Sequence, residues 1–71
     1  MNINKGDEVF AIYQYGDNNE FYEYRKEKFI KYYNGYPFCT VDLQDGVSMG
    51  YDEIYIIEKD AISRISKLEN K

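Results

Sequence analysis

Hydrophobic and polar positions alternate along most of this chain, and the alternation changes to a helical period only near its end. From Glu8 to Tyr15, Val9, Ala11, Tyr13 and Tyr15 fall on one face and Phe10 and Ile12 on the other, the pattern of a strand covered in part on both sides. The next stretch, Glu20 to Tyr33, admits two periods. As a strand it separates Tyr22, Tyr24, Lys26, Lys28, Ile30 and Tyr32 from Phe21, Glu23, Arg25, Glu27, Phe29, Lys31 and Tyr33. As a helix it gathers only Tyr22, Lys26, Phe29 and Tyr33, a stripe interrupted by charge. The strand is favoured, because β-forming aromatics flank the charges and the segment runs into Asn34-Gly35, a strong hairpin signal.

Pro37 suits the opening of a strand or a sheet edge. Beyond it, Cys39, Val41 and Leu43 alternate with Phe38, Thr40 and Asp42 and are expected to face a core. Asp45-Gly46 is a second hairpin signal. The expected strands are 8–15, 20–33, 37–43, 46–51 and 54–58, joined at 16–19, 34–35 and 45–46 by turn residues, an order that describes an antiparallel meander curling into a small barrel. A helix is expected over 60–69, with Asp60 as its N-cap and with Ala61, Ile62, Ile65 and Leu68 at helical spacing. Arg64 and Lys67 then lie near the negative end of its dipole.

Four of these segments resemble a pattern in short uncharacterised proteins from prophages and mobile elements of Gram-positive bacteria: "GDEV" opening the first strand, the "NG" hairpin, "VDLQDG", and "YDEIYIIEKDAISRISKLE". The matching residues at the end are Tyr51, Glu53 and Ile54, then Ile56 and Ile57, then Asp60, Ala61 and Leu68. The resemblance implies an SH3-like barrel closed by a C-terminal helix, and a phage setting in the cytoplasm of a bacterial host. It brings no catalytic or binding residue with it.

Composition narrows the chemistry. At 71 residues the chain has room for one domain, residues 1–71, and a domain of that size buries only roughly 60% of the surface its unfolded chain exposes. With no tryptophan and nine tyrosines, its core depends on rings whose hydroxyls must reach water or a partner. There is no histidine, so triad and dyad templates for acyl transfer lose their base. Cys39 is the single cysteine, which rules out a disulfide framework and reads best as a buried core thiol. The adjacent carboxylates Asp7-Glu8 and Asp52-Glu53 point to opposite faces if extended, and the glycines stand singly. Catalysis, a metal site and a cofactor are therefore not expected. Neither is a membrane span or leader, since no apolar run is long enough.

What remains is binding. Nine basic against thirteen acidic residues give a formal charge of −4, which opposes nonspecific attachment to phosphate backbones. The leading expectation is a non-catalytic module that occupies a site on a host protein, as an inhibitor or modulator of a defence protein would. Tyr22, Tyr24, Tyr32 and Tyr36 are its ring candidates, and Asp17, Glu20 and Asp45 on nearby turns are its steering charges. The alternative is nucleic-acid binding by the basic-aromatic strand, through Arg25, Lys26, Lys28 and Lys31 between rings that bases stack on. A third possibility is an assembly protein that forms a homodimer through an exposed strand.

Overall fold

The computed structural model describes residues 3–43 and 46–70. Five antiparallel strands and one helix follow in the order β1 (Glu8–Tyr15), β2 (Phe21–Tyr33), β3 (Tyr36–Thr40), β4 (Met49–Gly50), β5 (Glu53–Tyr55) and α1 (Glu58–Glu69). The ambiguous second segment is a strand of 13 residues, long enough to serve two partners. Its first part, from Phe21 to Lys28, pairs with β1, and its last part, from Lys28 to Tyr33, pairs with β3. The pairing with β3 shifts register between Phe29 and Lys31, a bulge that bends the strand and lets one sheet curl. At the hairpin tip Asn34 and Gly35 both take positive φ, 53° and 82°, as the type I′ turn requires.

The sheet order is β4-β3-β2-β1-β5, so the two edge strands are consecutive in sequence. Between them the backbone crosses from one neighbour to the other: Tyr51 N–H donates to the Pro37 carbonyl on β3 at 2.9 Å, and Asp52 N–H to the Ile12 carbonyl on β1 at 3.1 Å. That crossing brings the sheet's ends together in a barrel-like shape. Val9, Ala11, Phe29, Cys39 and Tyr51 form the interior core, with Ile3, Tyr13 and Ile54 packed against it. The opposite face of β1 carries Ile12, fully buried on the side that α1 covers, where Ala61 is fully buried too.

Element ends differ from the sequence expectation: the strands expected at 46–51 and 54–58 are Met49–Gly50 and Glu53–Tyr55, since the chain crosses between the sheet edges at Tyr51 and Asp52 and enters the helix at Glu58. The strand after the hairpin ends at Thr40, because the Thr40 hydroxyl donates to the Val47 carbonyl at 2.6 Å and captures the returning chain. Val41 beyond it is 65% exposed, and Leu43, also exposed, turns away at φ 55° instead of continuing the inward alternation. The helix begins at Glu58 with Ile57 at the N-cap and no side-chain cap, so Asp60 lies within the first turn, where its charge still meets the positive end of the dipole. Ile62 is exposed, while Ala61, Ile65 and Leu68 point toward the sheet side in graded burial. Of the Asp45-Gly46 turn, Asp45 lies outside the described residues, and Gly46 has φ 83°.

Side chains fasten the helix to the barrel. Arg64 Nε donates to both oxygens of Glu53 on β5, at 3.0 and 3.1 Å, and Tyr24 on β2 donates from its hydroxyl to Glu58 at 2.8 Å. The Arg64 hydrogen bond holds the Glu53 carboxyl below its ordinary pKa, aided by the Tyr55 hydroxyl against a smaller opposing effect of burial. A carboxylate with a depressed folded-state pKa contributes stability that is complete above its unfolded pKa and is lost as pH falls through the folded value. Glu53→Gln is therefore expected to lower the melting temperature at pH 7 and to flatten the fall of stability on the acid side below about pH 4.3. Thermal melts of both proteins across pH 2–7 check this, and parallel curves would disprove it.

Candidate functional site

Tyr51 occupies the crossing between β4 and β5 and is the wall common to three surface cavities. It is 2% exposed, and its hydroxyl donates at 2.8 Å to Glu27 Oε2, a carboxylate itself only 6% exposed. The Tyr51 ring meets Tyr13 edge-on with centroids 6.3 Å apart, and the Arg25 guanidinium lies 4.9 Å from the Tyr13 centroid, a cation over a ring face. Burial, followed by the hydrogen bond to Glu27, pushes the Tyr51 phenol well above its ordinary pKa, so it stays a donor at any physiological pH. Burial, reinforced by the charge of Glu27, likewise pushes the Cys39 thiol up to about 12.

The hairpin joining β2 and β3 gathers the exposed rings. Tyr33 and Tyr36 stand directly opposite each other in register, 57% and 55% exposed, and Tyr32 beside them is 57% exposed. Tyr33 meets Phe38 at right angles with centroids 5.9 Å apart, and Lys31 Nζ lies 5.8 Å from the Tyr33 centroid. Phe38 rests on Gly50, where an added Cβ would come within 3.2 Å of the ring. A cavity of about 380 Å³ opens between Tyr33, Tyr36, Phe38, Gly50 and Tyr51, with Asp52 at its rim. Asp52 accepts a hydrogen bond from Gln14 at 2.9 Å and carries the acidic charge of that rim.

The residues expected to bind a partner divide between two places. Tyr32 and Tyr36 are both on the hairpin, Tyr36 in the cavity wall and Tyr32 against Phe29 with centroids 5.1 Å apart. Tyr22 and Tyr24 are half-buried beside α1, Tyr24 bonded to Glu58 and the Tyr22 amide donating to Glu69 at 3.1 Å. Ten residues of extended strand separate Tyr22 from Tyr32, a span of about 33 Å when straight, so the four rings do not make one surface. Asp17 and Glu20 are exposed on the turn between β1 and β2, at the far end from the hairpin, and Glu20 accepts the Asn18 amide at 2.9 Å. Asp45 lies outside the described residues.

The cations of β2 do not converge either. Arg25 is engaged by Tyr13 on the interior face, Lys26 pairs with Glu8 at 3.3 Å on the other, Lys28 is half-buried beyond it, and Lys31 belongs to the hairpin. Tyr33, Phe38, Gly50 and Asp52 are not among the partner-binding candidates read from the sequence. The signal for Tyr33 was present, since an Asn-Gly turn places the residues flanking it opposite each other. The approach of Gly50 and Asp52 depends on barrel closure, which no local pattern encodes. Among the described residues no group of three His, Cys, Asp or Glu side chains is placed to hold a metal ion, and no helix is long and apolar enough to cross a membrane.

No family model matches the chain, and comparison with curated proteins and with solved structures finds no match.

Two outcomes follow from the buried network. Tyr51→Phe removes the donor that Glu27 faces and is expected to cost about 1–3 kcal/mol, read from the urea midpoint at unchanged slope; an unaltered midpoint would show the bond to be dispensable. Cys39 is expected to stay unreactive toward a disulfide reagent at pH 8 in the native protein and to react fully in denaturant. Rapid labelling of the folded chain would contradict the burial and the raised pKa together.

Proposed function

We propose that the protein is a non-catalytic binding module of the phage type, which acts by occupying a site on a host protein and so inhibits or modulates it. The observation that carries this reading is the pair of half-exposed rings, Tyr33 and Tyr36, standing at a cavity floored by Phe38 and Gly50, with Tyr32 exposed on the same hairpin. Large rings exposed together are costly in water, whereas tyrosine brings contact area with little rotamer entropy to lose and is enriched where interfaces concentrate their energy. The formal charge of −4 favours a basic surface on the partner. The phage setting and the bacterial cytoplasm rest on the sequence resemblance. Dispersal of Arg25, Lys26, Lys28 and Lys31 over different faces weighs against a phosphate-tracking groove, which needs its cations in line.

The test is retention of partners from a lysate of a Gram-positive bacterium, with and without nuclease, by the tagged wild type and by the Tyr33→Ala, Tyr36→Ala double variant. A stoichiometric host protein that survives nuclease and is retained about tenfold less by the folded double variant is the expected result. Nucleic acid that nuclease removes would overturn the proposal in favour of nucleic-acid binding. Equal retention by both proteins would displace the site from the hairpin. A concentration-dependent dimer with nothing else bound would replace it with self-assembly.

A further inference from the structure

The barrel is open where β3 leaves it. Pairing between β2 and β3 starts at Lys28 and Thr40, so Arg25 and Glu27, further toward the start of β2, have no β3 partner beside them. Val41 and Asp42 lead away from β3, Val47 and Ser48 lead into β4, and a cavity of about 270 Å³ lies between them and the start of β2. Its floor holds Glu27, Cys39 and Tyr51, all more than nine-tenths buried. Its rim is apolar, formed by Val41, Val47 and Met49, each well exposed, with Asp42 beside them.

Glu27 makes this cavity unusual. A carboxylate that is 6% exposed normally has a cation against it, because burying an uncompensated charge is expensive. The ion pairs among the described residues are Lys26 with Glu8 and Arg64 with Glu53, and neither involves Glu27. Its Oε2 accepts the Tyr51 hydroxyl, and Oε1 has no hydrogen-bond donor among the described residues. Arg25, the one cation in the lining, lies over the Tyr13 ring, and two carboxylates, Glu27 and Asp42, share the lining with it. The cavity thus has negative charge at its floor and rim and aliphatic walls between.

We propose that this cavity receives an alkylammonium group, the side chain of a lysine on the partner protein, with its ammonium on Glu27 Oε1 and its methylene stem along Val41, Val47 and Met49. Only the protein source of that lysine rests on the function proposed above. A compact ammonium needs only the remaining oxygen, whereas the second donor of a guanidinium would have to share Oε2 with the Tyr51 hydroxyl. The volume is below the roughly 300–1,000 Å³ of pockets that take drug-sized ligands and suits one side chain. Lysine also matches the acidic charge of the whole molecule.

The probe is n-butylammonium chloride, titrated into the full-length protein at constant ionic strength and followed by amide NMR, with n-butanol and n-butylguanidinium as comparisons. Shifts of the Glu27, Thr40, Val41 and Val47 amides that saturate with a Kd on the order of 10 mM are expected, with n-butanol giving none at these positions and n-butylguanidinium binding more weakly. Glu27→Gln keeps an acceptor for Tyr51 and is expected to weaken binding at least about fivefold. Val47→Trp, at an exposed rim position, fills the mouth without entering the core and supports the same conclusion should Glu27→Gln fail to fold. Equal shifts with n-butanol, no saturable shift below about 100 mM, or unchanged binding in the folded variants would each overturn the proposal. Because the titration contains no partner, its result is independent of whether the hairpin rings dock one.

Discussion

The hydrogen bond from the Tyr51 hydroxyl to Glu27, 2.8 Å long and removed from water, joins the last part of the sheet to its first hairpin. It matters because the strands on either side of Tyr51 have little to hold them. β4 is two residues long and β5 three, too short for ladder bonds alone to secure the edges. What keeps the crossing in place is one large ring in the interior, its hydroxyl on a charged acceptor in a low-dielectric setting, where such a bond is stronger and its absence costs more. The backbone bonds of Tyr51 to Pro37 and of Asp52 to Ile12 then join the two flanks of the sheet. Remove the ring and the barrel has two frayed edges.

The same arrangement explains why a chain this small tolerates a buried carboxylate. Glu27 lies directly across from Val9 on β1 and two residues before Phe29, at positions that an ordinary core would fill with aliphatic groups. A hydrophobic side chain there would pack as well or better, but it would leave the Tyr51 hydroxyl without its acceptor. The polar pair therefore specifies which ring closes the barrel. The helix is secured separately, on the outside of β1 and β2, through Tyr24 with Glu58 and Glu53 with Arg64. Interior and outer layers share β1, whose alternate residues face one or the other.

Much of the fold was legible because it is local. The period of two along β1 and β2, the Asn34-Gly35 turn and the helical spacing after Asp60 each depend on a few neighbouring residues, and the structure has a strand, a hairpin and a helix there. Legibility stopped where a distant contact decided the outcome. Val41 and Leu43 continue an apolar alternation, yet the hydroxyl of Thr40 bonds Val47 and the strand ends. Tyr22 and Tyr32 share a face in a flat strand, but the bulge after Phe29 and the cover of α1 assign them to different surroundings. Glu27 counted in the sequence as one of several interleaved charges. Its burial follows from the pairing of β2 with both neighbours at once.

The two surfaces that the closure creates share one residue. Tyr51 walls both the aromatic cavity beside Tyr33 and Phe38 and the acidic cavity above Glu27, on either side of β4. Met49 and Gly50 are the thin partition between them, Met49 lining the acidic side and Gly50 lying under Phe38 on the other. A partner that lays an apolar segment on the hairpin rings and a basic side chain into the acidic gap would engage both walls of the same tyrosine, and both contacts would hold β4 against β3. Closure of the barrel and the walls of both cavities therefore draw on the same residues.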